Sequence, residues 1–226
     1  MKRAALALVL LLAMPAHAAP RCDLGLILAM DVTTSVSPEE WEMQRSGLAQ
    51  AIAAQPQWPQ TTVIVVQWAF QQRITIEPTL VASRADAAAL AAQIAVMPRA
   101  FDGHTKLAQA MEFLVDLADE MPCERKVIDV HGDGQDYPPP GQPVRARERA
   151  FLLGITVNAL AIESSESYAH PGYARLADYY QAQLVTPDGF VIDAEGHGDF
   201  ARAIKQKLSL EIAGARPEPT RVAEAR

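Results

Sequence analysis

The seven residues Leu24-Gly25-Leu26-Ile27-Leu28-Ala29-Met30 carry no polar side chain, and the run stops abruptly at Asp31-Val32-Thr33-Thr34-Ser35. An apolar segment this short suits a strand buried on both faces, as in a parallel sheet with helices on either side. In open sheets of that kind ligands bind just beyond the carboxyl ends of the strands. Asp31, Thr33 and Ser35 stand at such an end, so any chemistry is sought there first.

The rest of the chain alternates strand and helix signals. Ser37-Pro38-Glu39-Glu40 compresses a helix start into four residues: an N-cap, a proline at the first helical position and a capping-box glutamate. The helix is predicted to run to about Ala54, with Trp41, Leu48 and Ile52 facing the core. Because Ser37 supplies the cap, Thr33 and Ser35 are free of that task. Residues 62–69 are rich in β-branched side chains and read as a strand. Residues 72–77 follow closely enough to form its antiparallel partner at an edge. Ser83 caps a predicted helix over 84–96, and Thr105 opens an amphipathic one with Leu107, Met111, Leu114 and Leu117 at helical spacing. A strand over 127–130 ends in the sharp Gly132-Asp133-Gly134 turn. After a stiff Pro-rich loop at 137–140 come a helix over 144–153, a strand over 155–162, a helix over 173–181, a strand over 189–192 and a helix over 199–212.

This order predicts a doubly wound α/β fold. Its central sheet has about six strands, mostly parallel with one antiparallel edge strand, and helices on both faces. The order of strands across the sheet does not follow from these signals.

The first residues read as a secretory signal: Lys2 and Arg3, an apolar stretch over 4–14, and the small-x-small site Ala16-His17-Ala18. The apolar stretch is short for a bilayer span, and no later segment qualifies. The expected organisation is a signal peptide at 1–18, one domain at 19–213 and a polar, disordered tail at 214–226. Cleavage after Ala18 lowers the basic count from 20 to 18 against 27 acidic residues, a net charge of −9. That balance argues against nucleic acid and anionic membranes as partners and fits a secreted or periplasmic protein. Two cysteines, Cys22 and Cys123, each precede a predicted strand. If those strands are parallel neighbours, the cysteines meet at the amino-terminal edge of the sheet as a disulfide; free buried thiols are the alternative, and no CxxC spacing occurs.

In the doubly wound arrangement, three loops meet above one end of the sheet, carrying Asp31, Thr33 and Ser35, then Thr105, then Asp133. They offer two carboxylates and three hydroxyls, the hard oxygen donors that Mg²⁺ selects. Each residue has a simpler reading as a turn, loop or cap residue. Turn chemistry does not, however, call for hydroxyls at those spacings.

The pattern resembles the metal-ion-dependent adhesion site of von Willebrand factor A-type domains, written Asp-x-Ser-x-Ser, then a distant Thr, then a distant Asp. Here it is Asp31-x-Thr33-x-Ser35, Thr105 and Asp133. The stretches 28–36 and 127–134 look most like a family of secreted bacterial domains of unknown function related to that fold. The resemblance implies that Ser35 and Thr33 bind a metal directly and that Thr105 does so directly or through water. It implies that Asp31 and Asp133 act largely through bound water. Thr33 in place of the usual serine keeps the oxygen and adds a methyl group. The implied sheet order also sets the first strand beside the one after Cys123.

The expected function is a secreted, divalent-cation-dependent protein-binding module of the adhesion type, with no catalytic residues. Mg²⁺, or Mn²⁺ or Ca²⁺ in its place, would keep a coordination position for an acidic side chain of a partner protein. The alternative is a metal-dependent hydrolase in which His104 or His131 joins the same carboxylates and a metal-bound water attacks; no HExxH motif accompanies them. Ser164-Ser165 lacks a GxSxG setting, and GxGxxG and P-loop sequences are absent. His170 and His197 are read as solvent-facing loop residues, and Arg145, Arg147 and Arg149 as a solvated helix face.

Overall fold

The computed structural model describes residues 22–136, 142–163 and 172–217. The expected signal peptide, the 137–140 loop, Ser164-Ser165, His170 and the last nine residues of the expected tail lie outside them.

Six strands form one sheet: β1 (Cys22–Asp31), β2 (Thr61–Trp68), β3 (Gln72–Val81), β4 (Cys123–Gly132), β5 (Ile155–Ile162) and β6 (Val191–Ala194). Their order is β3-β2-β1-β4-β5-β6, with β3 antiparallel to β2 and every other pairing parallel. The helices are α1 (Pro38–Ala54), α2 (Arg84–Ala95), α3 (Leu107–Asp119), α4 (Pro143–Leu152), α5 (Leu176–Gln183) and α6 (Phe200–Ala213), the last preceded by a 3₁₀ turn at His197–Asp199. This is the doubly wound α/β fold expected, with the antiparallel strand at an edge.

β1 explains why its sequence lacks polar side chains. Leu24, Leu26, Leu28 and Met30 face a core built with α1, α2 and α6, while Ile27 and Ala29 face a second core built with α3, α4 and α5. Both faces of the strand are dry, so no polar alternation survives.

Several boundaries moved. β3 extends to Val81, past Pro78, because an edge strand tolerates a residue that donates no hydrogen bond; the ladder to β2 is irregular opposite that segment. β4 begins at Cys123 and ends at Gly132, several residues beyond the predicted 127–130. α3 starts at Leu107, two residues after Thr105.

Cys22 and Cys123 face each other in the β1–β4 register and form a disulfide, with Cα atoms 4.5 Å apart and a sequence separation of 101. A bridge closing so long a loop restricts the unfolded chain strongly. The Cys22→Ser, Cys123→Ser double variant is expected to lose about 2–4 kcal/mol, read as a lower urea midpoint; a midpoint equal to wild type would show that the bridge contributes nothing.

The order of the strands reverses between β1 and β4. α1 leaves β1 toward one face of the sheet, and α4 follows β4 on the other. The loops after these strands therefore part and leave a crevice above their carboxyl ends. Asp31 ends β1, and Asp133 directly follows β4.

Candidate functional site

Asp31 sits at the floor of that crevice, fully buried. Its Oδ1 accepts from the backbone N–H of Thr33 at 2.7 Å, an Asx turn that bends the chain out of the sheet, and its Oδ2 accepts from the N–H of Asp133 at 3.4 Å. Thr33 Oγ1 lies 2.9 Å from Ser35 Oγ, and Ser35 donates to Asp133 Oδ1 at 2.7 Å. Asp31, Thr33, Ser35 and Asp133 are thus joined by one short hydrogen-bond chain across the β1–β4 boundary. Thr105 arrives from the loop before α3, where a Cβ added to Gly134 would lie 3.6 Å from its Oγ1.

Gly132 is required at this floor. A Cβ there would stand 2.5 Å from the Tyr180 hydroxyl and 2.9 Å from Asp31 Oδ2. Tyr180 is itself buried and donates to the Gly134 carbonyl at 2.8 Å, which fixes the turn carrying Asp133.

The helix caps are allocated as the hydroxyls require. Ser37 and Glu40 make both bonds of the capping box on α1. α3 is capped not by Thr105 but by Asp136, whose Oδ1 accepts from Ala108 N–H at 3.2 Å.

Three supports were not apparent from sequence. The Arg99 guanidinium donates to the carbonyls of Val32 (2.9 Å), Thr33 (2.8 Å) and Val36 (2.9 Å), clamping the loop that carries Thr33 and Ser35. Buried Gln67 donates to Pro98 O at 2.9 Å and accepts from Ala100 N–H at 2.7 Å, holding the segment that leads to Thr105. His197, expected in solvent, is buried instead, with Nδ1 3.0 Å from Glu40 Oε1; the 3₁₀ turn before α6 tucks it against the start of α1. A side chain reaching a loop dozens of residues away leaves no local pattern, so none of these could be found by spacing.

His131 does not join the crevice. It is fully buried on β4, its Nε2 3.1 Å from Asp129 and its ring edge-on to Phe200 at 5.5 Å. His104 lies on the exposed part of the loop before Thr105. Arg149 pairs with Asp116 at 2.6 Å and Arg147 reaches the Ala182 carbonyl, so these two arginines of the basic run tie α4 to its neighbours.

The electrostatics of the crevice are unbalanced. Burial, and then the charge of Asp133, push the Asp31 carboxyl up to about 8 against the hydrogen bonds from Thr33. Burial also raises Asp133, outweighing the Ser35 bond and the nearby His197. Among the described residues no lysine, arginine or histidine forms an ion pair with Asp31. Two adjacent buried carboxyls with hydroxyl oxygens around them suit a hard divalent cation, which would offset both charges. Among the described residues no group of three or more histidines, cysteines and carboxylates is arranged to hold a metal, so the donor set differs from that of a His-rich zinc centre.

Comparison with known proteins agrees with this geometry at the level of the fold. The sequence matches, over residues 21–216, a family described as "Protein of unknown function (DUF1194)". No curated protein matches. Among solved structures, proximal thread matrix protein 1 from the mussel byssus superposes with a TM-score of 0.65 at 12% identity, covering 85% of this chain and 47% of that one. The same protein with a zinc-occupied MIDAS motif gives 0.63 at 13% identity, covering 85% and 46%. A von Willebrand factor type A structure from Catenulispora acidiphila gives 0.61 at 17% identity, covering 85% and 43%. This chain spans a little under half the length of each.

Proposed function

The chain belongs to that DUF1194 family and carries a von Willebrand factor A-like domain, and from that premise we propose that it is a divalent-cation-dependent protein-binding module. The observation that carries this reading is the buried Asp31–Asp133 pair, bridged by Ser35 where the sheet order reverses. Ser35 and Thr33 would hold the cation through their hydroxyls, Thr105 directly or through water, and Asp31 and Asp133 through water while balancing its charge. Mg²⁺ is the cation best matched to this all-oxygen set, with Mn²⁺ or Ca²⁺ as substitutes. When bound it supplies an electrophilic position that an acidic side chain of a partner protein can take. That one relative in fold is described with zinc in its MIDAS motif supports metal binding by this architecture.

The hydrolase alternative needs His104 or His131 beside the metal. His131 points instead to Asp129 and Phe200, behind the crevice. That leaves the alternative only His104, exposed on the loop before Thr105, and the binding reading is preferred. We further assign the domain to residues 19–213, the leader to 1–18 and the tail to 214–226, and place the mature protein in the periplasm or outside the cell. The Cys22–Cys123 bridge supports an oxidising compartment. No helix among the described residues is long and apolar enough to cross a membrane.

Isothermal titration of the protein with Mg²⁺ tests the site. Wild type is expected to bind, and the Asp31→Ala, Asp133→Ala double variant to bind at least about 100-fold more weakly, since supporting carboxylates are each worth about 10–100-fold in metal affinity. Equal binding by the two proteins would remove the metal site. Because the cation competes with protons for Asp31, affinity is also expected to rise with pH up to about 8.

A further inference from the structure

Among the described residues, an aromatic rim borders the crevice. After β2 the chain turns through Phe70, whose ring remains 47% exposed although it packs on Gly103. Phe70 meets Phe101 edge-on, with centroids 6.1 Å apart and planes at 77°, and the exposed Arg73 places its guanidinium 5.6 Å from the Phe101 ring. Gly103 makes the arrangement possible: its φ is +149°, and a Cβ there would fall 2.2 Å from Phe70. Its carbonyl accepts both the N–H and the hydroxyl of Thr34 at 2.9 Å. Thr34 lies between Thr33 and Ser35, so the aromatic rim is fastened directly to the proposed ligand-bearing loop.

The rim is more than is needed to hold that loop. Arg99 and Gln67 already fix residues 98–100 and the β1–α1 connection by hydrogen bonds. The half-exposed Phe70 leaves apolar surface in water that a partner could cover. The charges around the crevice are also asymmetric. Glu39 and Glu40 open α1 on one side, whereas the exposed Arg73 stands beside Phe101 on the aromatic side. A negatively charged ligand is thereby drawn toward the aromatic rim.

We infer that Phe70, Phe101 and Arg73 form a second subsite beside the cation, selecting a partner protein that presents an Asp or Glu with a large apolar side chain within two residues of it. This rests on the metal-site reading above and adds to it the chemistry of the segment recognised. The carboxylate completes the cation's coordination, the apolar side chain covers Phe70, and Arg73 attracts the acidic segment.

The test is panning of a random 12-residue phage-displayed peptide library on the protein in Mg²⁺, with elution by EDTA. The eluted pool is expected to be enriched in Asp or Glu with Phe, Tyr, Trp or Leu within two positions. A peptide synthesised from that pool should bind Phe70→Ser and Arg73→Glu at least about tenfold more weakly than wild type, with Mg²⁺ titration unchanged in both variants. An enriched pool with no apolar neighbour, equal peptide affinity across the three proteins, or no enrichment at all would overturn the subsite. Should Phe70→Ser lose Mg²⁺ as well, its effect is on the loop and Arg73→Glu decides alone. Failure of wild type to bind Mg²⁺ would instead remove the metal-site reading, and this inference with it.

Discussion

Asp31→Asn is expected to abolish the protein's thermal response to Mg²⁺ and, in metal-free buffer at pH 8, to raise its melting temperature above that of wild type. Asp31 is fully buried, and its carboxyl is pushed from 3.8 up to about 8, by burial first and the Asp133 charge second. The folded protein therefore binds this proton more tightly than the unfolded chain does. The stability it contributes is complete below pH 4 and is lost as the pH climbs through the folded value near 8. Metal-free wild type should accordingly weaken between pH 5 and pH 8, by about 3–4 kcal/mol if the full shift is expressed. Asparagine keeps an oxygen for the Thr33 N–H and removes the charge, so the variant escapes this penalty and loses the cation. Melting curves at pH 5 and pH 8, with EDTA and with millimolar Mg²⁺, check both halves. A Mg²⁺ shift retained by the variant, or the same pH dependence in both metal-free proteins, would show that Asp31 does not act in this way.

Lys207→Met is expected to cost about 3–5 kcal/mol. Lys207 is buried between α6 and the sheet, where its ammonium contacts Asp129 of β4 and lies 2.5 Å from Glu211. Glu211 in turn accepts from Asn158 of β5 at 2.9 Å, so one charged cluster fastens α6 across two strands. Burial would raise the Asp129 carboxyl, but His131 and Lys207 overcome it and hold the group well below the usual carboxylate range. Glu211 goes the other way: burial and the Asp129 charge lift it to about 8. Removing the lysine strands the Asp129 charge in a dry interior. Urea unfolding should show the loss at pH 7, and Asp129→Leu combined with Lys207→Met should recover much of it, because an apolar pair leaves no charge buried. A loss under about 1 kcal/mol would mean that the site admits water and screens the charge. The pH signature is opposite to that of Asp31. A depressed carboxyl contributes stability above its unfolded value near 3.8, and the contribution disappears on acidification.

This cluster leaves a trace in the sequence. Phe200, Ala203, Ile204, Lys207, Leu208 and Glu211 fall at helical spacing on one buried stripe of α6, so a lysine and a glutamate stand where apolar residues belong. Asp129 likewise interrupts a buried strand. Two such interruptions of opposite charge call for each other, and only their pairing across the helix–sheet interface required coordinates.

His197 illustrates the reverse case. Nothing in Glu195-Gly196-His197-Gly198 distinguishes a loop histidine in water from one tucked beneath α1, and the glycines on either side favour the former. The 3₁₀ turn that buries it against Glu40 depends on where α6 docks, which is a tertiary matter. Arg99 is similar, since its three carbonyl partners lie more than sixty residues earlier in the chain.

The class of fold follows from the chain's local signals, because periodicity, caps and dry strands are local properties. The capping box at Ser37, the unbroken apolar run of β1 and the hairpin to β3 all follow from residues within a few positions of one another. Local signals also nominated Asp31, Thr33, Ser35 and Asp133 as oxygen donors at strand ends, and the resemblance to the adhesion-site pattern brought in Thr105 from the loop between α2 and α3. That β1 and β4 are neighbours where the sheet order reverses is implied by the family resemblance but by none of the local signals, and the packed chain realises it. That single adjacency closes the Cys22–Cys123 bridge at one end of the strands. At the other it brings two carboxyls within reach of one serine hydroxyl. Strand order is set by the packing of whole helices on both faces of the sheet, a long-range balance that no short stretch of sequence encodes.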